Sequence, residues 1–255
     1  MYINNSKQIV IKIGSSLLID ENKNIREKWL FDFAKDIEQL IKNKKKVIIV
    51  SSGAIALGCK KLNINKKNLK LDKSQAVASI GQIELMNLFN EIFKKRKLNL
   101  SQILLTLEDT EIRRRAINAK RTLDNLFDLG FIPLVNENDS IATSEIKYGD
   151  NDRLASRVAQ ISGSDCLILL SDVDGLFDKN PKLNKNAKLI SKVKEINNKI
   201  ENYIYKNISE HGSGGMKTKI EAAKICQISG CYMAIANGLI NRPLKNIIDK
   251  NYCTW

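Results

Sequence analysis

Lys12 is the residue least suited to its surroundings. It stands in the run Gln-Ile-Val-Ile-Lys-Ile at residues 8–13, where strand alternation puts Ile9, Ile11 and Ile13 on one face and Val10 and Lys12 on the other. A strand covered on both faces should not carry an unpaired ammonium, because burying one is expensive. Either the stem snorkels to water, or the cation is aimed at an anion. Gly14 follows at once, and its missing side chain lets a ligand approach the backbone. A second anion signal is Gly-Ser-Gly-Gly-Met-Lys-Thr-Lys at 212–219, running into a helix expected over 216–229. Glycines ahead of a helix leave backbone N–H groups free to hold an anion, and the helix dipole adds to them. Lys217 and Lys219 supply charge. The alternative is a flexible hinge, and the segment matches neither GxxxxGK[ST] nor GxGxxG. The third signal is the polar block from Asn136 to Arg153, which holds Asp139, Asp150 and Asp152 with Gly149 as a pivot. Asp150-Asn151-Asp152 opens a helix expected over 151–161. One residue can cap it; three exceed that need. Carboxylates facing a phosphate site suit a bound cation or a substrate ammonium.

These residues need a scaffold that brings them together. Short apolar runs at 8–13, 46–50, 101–105, 131–135, 166–170 and 231–236 alternate with amphipathic stretches. In 26–43, Trp29, Phe33, Ile37, Leu40 and Ile41 recur at helical spacing. Residues 74–96, 108–129, 151–161 and 216–229 also read as helices, with Gly130 and Gly230 placed to end two of them. Strands apolar on both faces, alternating with helices, predict an α/β fold with a largely parallel sheet covered on both sides. Ligands in such sheets bind at the carboxyl ends of the strands. Small polar residues gather there: Gly14-Ser15-Ser16, Ser51-Ser52-Gly53-Ala54, Asn136-Glu137-Asn138-Asp139, Ser171-Asp172 and Asn237-Gly238. One such loop is ordinary turn chemistry; five on one edge form a site. The stretch 172–190 reads as a long surface excursion or a lobe boundary.

Composition removes several classes. No run approaches the about 18 apolar residues of a membrane span, and the start of the chain reads as a first strand, not a signal peptide. Five cysteines without a CxxC pair argue for buried reduced thiols in a cytoplasmic protein, not for a disulfide framework or a zinc site. A single histidine, His211, argues against a His-rich metal site and a Ser-His-Asp hydrolase. The net charge of +14 invites a nucleic-acid partner. The lysines are dispersed, however, and clusters such as 42–46 and 94–97 fall at helix ends, where cations are favoured. No specific nucleic acid and no membrane partner is expected.

Assembled in this way, the chain resembles the amino acid kinase superfamily, and most closely its glutamate 5-kinase branch. The resemblance covers nearly all 255 residues. Its most specific pieces are VIKIGSS (10–16), VSSGAIALG (50–58), VNENDSIATSEIKYGDNDRLA (135–155), LLSDVDGLF (169–177) and GSGGMKTK (212–219). SSGAIA with NENDS and GDND sets that branch apart from the acetylglutamate, aspartate and uridylate kinases. The resemblance implies a three-layer αβα sandwich with a mainly parallel central sheet. It implies one domain over 1–255, with a substrate lobe at 1–165 and a nucleotide lobe at 166–255.

The residue roles it implies are equally specific. Lys12 and Lys219 neutralise the transferring phosphoryl group. Ser52, Asp139 and Asn151 hold L-glutamate, and Asp150 helps to grip its ammonium. Ser171 and Asp172 meet ATP, while Ser213, Gly214, Gly215, Met216, Lys217, Thr218 and Lys219 wrap its phosphates. Asp152 lies near the reacting centre and orients a lysine. Mg²⁺ arrives with the nucleotide, without a metal ligand from the chain. The product is L-glutamyl 5-phosphate, the first intermediate of proline biosynthesis, which a reductase would take over. A homo-oligomer, dimer or tetramer, is the implied assembly. The alternative is a sister kinase acting on acetylglutamate or a nucleoside monophosphate. The chain departs from the branch at Glu210, Lys217, Arg153 and Arg157. It ends at Trp255, where many members continue into an RNA-binding-like domain, so a catalytic domain alone is expected.

Overall fold

The computed structural model describes residues 2–65, 69–142, 151–181, 183–197, 200, 201, 203 and 213–255. Strands β1 (Gln8–Ile13), β2 (Lys46–Ser51), β3 (Leu100–Leu105), β4 (Ile132–Glu137), β5 (Cys166–Ser171) and β6 (Tyr232–Asn237) form one sheet in the order β3-β4-β2-β1-β5-β6. Every pairing between them is parallel, so all carboxyl ends share one edge. The helices are α1 (Tyr2–Asn5), α2 (Ser15–Leu18), α3 (Glu27–Lys42), α4 (Ala54–Lys61), α5 (Leu71–Lys94), α6 (Leu107–Glu111), α7 (Arg113–Asp128), α8 (Asn151–Ser162), α9 (Ser213–Ile228) and α10 (Pro243–Lys250).

Both faces of the sheet are covered, as the apolar runs require. On one face Ile9, Ile11 and Ile13 pack with Trp29, Phe33 and Ile37 of α3, Leu85, Phe89 and Phe93 of α5, and Leu244 of α10. On the other, Val10, Val50 and Leu169 meet Leu123 of α7, Leu154 and Val158 of α8, and Ala222 of α9. Lys12 belongs to this second face, so α8 and α9 cover the strand that carries it. The strand order reverses at β1, whose neighbours are β2 and β5, and the crevice between β1 and β5 is where such sheets bind ligands.

Three expectations change. The helix expected over 108–129 is two helices, because Ile112 is extended (ψ 113) and begins α7 instead of continuing α6. Thr106 and Asp109 cap α6 reciprocally, which fixes its direction independently of α7. The helix expected from 216 starts at Ser213, so the glycines form its first turn. Apolar periodicity cannot register residues that carry no side chain. Finally, Ser51, Asn136, Glu137, Ser171 and Asn237 end strands instead of opening loops. Residues 172–190 do form an irregular excursion, with an isolated bridge between Phe177 and Leu189 and Leu176 packed against Ile220. All five cysteines are buried and none is in a disulfide. Among the described residues no helix is long and apolar enough to cross a membrane.

The crossing of α4 and α5 fixes the loop that follows β2. Gly53 starts α4 at φ +114, a left-handed conformation that side chains resist. A Cβ at Gly58 would meet the Val77 carbonyl at 2.1 Å, and one at Gly81 the Ala54 carbonyl at 1.8 Å. The two helices therefore touch backbone to backbone, with no room for a methyl group. Gly81→Ala should destabilise the protein by about 1–3 kcal/mol, the usual cost of overpacking. Ile83→Ala, at a side 63% exposed, should change stability by less than about 0.5 kcal/mol. Urea midpoints for the two variants check the contrast; equal midpoints would show that the crossing tolerates a side chain.

Candidate active site

The carboxyl ends of β1, β2, β4, β5 and β6 and the N-terminal turns of α8 and α9 meet at one place. Asp152, the second residue of α8, is 1% exposed and stands between two lysines. Its Oδ1 lies 2.6 Å from Lys12 Nζ and its Oδ2 2.9 Å from Lys219 Nζ. Thr218 Oγ1 donates to the same Oδ2 at 3.1 Å. Lys12 and Lys219 are 7% and 6% exposed. Burial is the main reason the Lys12 ammonium lies below the ordinary lysine value; Asp152 opposes the shift and Lys219 adds to it. Burial alone would raise the Asp152 carboxyl. The fields and hydrogen bonds of the two lysines outweigh it and hold the group below the usual carboxylate value. Two buried cations against one anion leave the trio itself with a net positive charge. Lys12 does not snorkel to water; it is held in the interior.

Beside this trio lies a polar cleft. Asn151 Nδ2 is 2.8 Å from the Ser51 carbonyl, 2.8 Å from Ser52 Oγ and 3.1 Å from Asn136 Oδ1. Asn136 Nδ2 in turn donates to Gln82 Oε1 of α5 at 2.7 Å. Among the described residues the buried Asn151 Oδ1 atom has no hydrogen-bond partner. A buried acceptor without a donor is costly, so this one marks a place for a ligand's N–H or O–H. Asp139 is half-buried in the turn after β4. That turn is tied to α5 by Gln75 Nε2, which donates to the Ala142 carbonyl at 2.7 Å. Asp150 lies outside the described residues, as do Glu210 and His211.

The other half of the edge is built from backbone. Gly14 N–H donates to the Leu170 carbonyl at 3.3 Å and keeps β1 and β5 together past the strand end. A Cβ at Gly14 would meet protein atoms only at ordinary van der Waals distance. Packing therefore does not demand glycine, whereas a ligand approaching the backbone would. Ser171 is buried and donates to Asp172 Oδ1 at 3.1 Å, and its carbonyl accepts from Gly238 N–H at 2.7 Å. Ser213, Gly214 and Gly215 form the first turn of α9, and Lys217 is exposed on the next. Met216 instead packs against the small cluster around Leu176 and Ile220.

The sequence missed Gln82 and Gln75. Each sits on an apolar-patterned helix, where a polar residue reads as surface. Arg153 and Arg157, which looked out of place beside the substrate helix, both pair with Glu111 of α6 at 3.2 Å. Their charge is met on the outer side of α8, and the break at Ile112 is what places Glu111 there.

Comparison with known proteins agrees with this geometry. The model of the amino acid kinase family matches residues 7–237. A glutamate 5-kinase of Pelagibacter ubique is 75% identical over 255 residues, covering 100% of this chain and 69% of the relative. One of Bradyrhizobium diazoefficiens is 48% identical over 250 residues, covering 98% of this chain and 67% of the relative. Among solved structures, a carbamate kinase of Giardia lamblia bound to AMP-PNP superposes with a TM-score of 0.67 at 17% identity, covering 98% of both chains. A UMP kinase of Ureaplasma parvum does so at 0.65 and 18%, again covering 98% of both. At those identities the structures speak for the fold, whereas the sequence relatives speak for the branch. The chain belongs to the amino acid kinase family and, within it, to the glutamate 5-kinases.

Proposed function

We propose that the protein transfers the γ-phosphoryl group of ATP to the side-chain carboxylate of L-glutamate, giving L-glutamyl 5-phosphate for proline biosynthesis. The observation that carries this reading is the buried Lys12–Asp152–Lys219 trio beside an unfilled acceptor on Asn151, in a chain 75% identical to a glutamate 5-kinase. Residues 1–165 supply the substrate lobe and 166–255 the nucleotide lobe. Ser52, Asp139, Asn151 and Asp150 hold glutamate. Ser171, Asp172 and the stretch from Ser213 to Lys219 hold ATP. Free buried thiols fit a reducing, cytoplasmic setting. A homo-oligomer and hand-over of the product to a reductase complete the picture.

The mechanism follows from charge. A carboxylate and a γ-phosphate are both anions, so bringing them in line costs repulsion that fixed positive charge must offset. Lys12 and Lys219 supply it from opposite sides of Asp152, which holds both ammoniums at fixed positions without neutralising both. The acceptor carboxylate is already ionised at neutral pH, so no general base is needed. Among the described residues no group of three or more His, Cys, Asp or Glu is placed to hold a metal ion, and Asp152 is committed to the lysines. Mg²⁺ would enter with ATP and screen the phosphate charge.

Three outcomes are expected. Purified protein should release ADP from Mg·ATP with L-glutamate and, with hydroxylamine present, yield the hydroxamate; N-acetylglutamate and aspartate should be poor substrates. Preference for acetylglutamate would overturn the substrate assignment. Lys12→Ala and Lys219→Ala should each lower kcat by about 10²–10³-fold, whereas Asp139→Ala should chiefly raise the KM for glutamate. Steady-state kinetics, with circular dichroism confirming folding, separate the two groups; a folded Lys12→Ala enzyme with near-native kcat would remove the central support.

The third outcome concerns pH. Lys12 works as a cation, so kcat/KM for Mg·ATP should fall as pH rises through its depressed value, below the ordinary 10.5. In Lys12→Arg that limb should move to higher pH, because a guanidinium does not titrate there. A limb left in place by the substitution would have to belong to another group.

A further inference from the structure

Glutamate at neutral pH carries one hydrogen-bond donor, its α-ammonium; both carboxylates are ionised acceptors. Asn151 offers the substrate cleft an acceptor only if its amide is turned one way, and the hydrogen-bond chain around it decides which. The Ser51 carbonyl can only accept, so the group that faces it at 2.8 Å must be Asn151 Nδ2. That same Nδ2 faces Asn136, which must then present Oδ1, at 3.1 Å. Asn136 Nδ2 is thereby pointed at α5, where Gln82 must present an acceptor; it does, at 2.7 Å. Polarity thus runs in one direction from the end of β2 through α8 and β4 to α5. Its consequence at the near end is that Asn151 Oδ1 stays buried and, among the described residues, unpartnered.

We propose that Gln82 is a positioning residue for glutamate: by accepting from Asn136 it keeps Asn136 Oδ1, not Nδ2, against Asn151 Nδ2, and so holds in place the Asn151 amide whose Oδ1 meets the substrate α-ammonium. The inference rests on the glutamate kinase reading above and adds a specificity device to it. Gln82 acts through Asn136 and Asn151, and its position beside Gly81 places it where α5 is pressed against the start of α4. Without an acceptor at position 82, Asn136 Nδ2 loses its partner. The Asn136 amide is then free to turn and present Nδ2 to Asn151, donor against donor.

Two near-isosteric substitutions separate polarity from packing. Gln82→Met keeps the volume and removes the acceptor. It should raise the KM for glutamate about tenfold, on the order of one lost buried hydrogen bond, and leave the KM for ATP and kcat within about threefold. Gln82→Glu retains an acceptor and should recover most of the wild-type KM. Glutarate, which lacks the ammonium, provides the second readout. Wild type should discriminate strongly against it, and Gln82→Met should lose about the same factor from that discrimination. Thermal midpoints establish that both variants fold. A Gln82→Met enzyme with wild-type KM for glutamate overturns the proposal. Equal damage in both variants also overturns it, because retaining the acceptor would then not matter, and so does a matching rise in the KM for ATP, which assigns Gln82 a general packing role. Should wild type itself fail to phosphorylate glutamate, the glutamate kinase reading fails first, an outcome distinct from the others.

Discussion

A single carboxylate flanked by two ammoniums, all three almost out of contact with water, is the constraint to which the rest of the site answers. Removing ions from water costs several kcal/mol apiece, and a pair recovers that only with good geometry. Here Asp152 serves two lysines, so the recovery is incomplete by construction. Burial favours the neutral Lys12 amine, and Asp152 opposes this only in part. Such a site lowers its energy by admitting an anion. Under the proposed reaction, that anion is the phosphoryl group in transit, whose charge is spread over three oxygens as the bond to ADP breaks. The charge is fixed in place before substrate arrives, so little reorganisation is required at the moment of reaction.

Holding the trio in place requires three elements that are distant in sequence. Lys12 comes from β1, Asp152 from the first turn of α8 and Lys219 from the second turn of α9. A parallel sheet gives this convergence, because every strand delivers its next residue to the same edge. The strand reversal at β1 then opens the crevice between β1 and β5. The Val10 and Lys12 face is covered by α8 and α9, which makes burial of the lysine and its pairing with Asp152 two results of one packing arrangement. A helix starting one turn later in either place would leave a buried ammonium alone.

Much of this was legible in the residues. Lys12 declared itself as a charge in an apolar strand, and Lys219 as a charge just after glycines that lead into a helix. The boundaries of β1 followed from alternation alone. What could not be read was of two kinds. Glycines in the first turn of α9 leave no periodic signal, so the helix began three residues earlier than expected. Polar residues that face inward from long helices, Gln82 and Gln75 of α5, carry no mark that separates them from solvent-facing ones. Only the tertiary contact between α5 and the ends of β2 and β4 gives them a partner. Arg153 and Arg157 failed in the opposite direction: sequence proximity to the site suggested interference, and helical geometry turned them to Glu111 on the far side.

The two halves of the edge use different physics for different ends. The half proposed to hold ATP is built mainly from backbone, at Gly14, Ser171 and the first turn of α9, where the helix-start N–H groups suit phosphate oxygens. The other half is a chain of side-chain amides whose donors and acceptors are each assigned by the next member, from the Ser51 carbonyl to Gln82. Backbone cradles tolerate sequence change but discriminate little. Amide chains discriminate well, since a ligand of the wrong polarity leaves a buried group unpaired at a cost of about 1–3 kcal/mol. Under the proposed reaction, the side chains ending β2 and β4 and starting α8 would choose what receives the phosphoryl group.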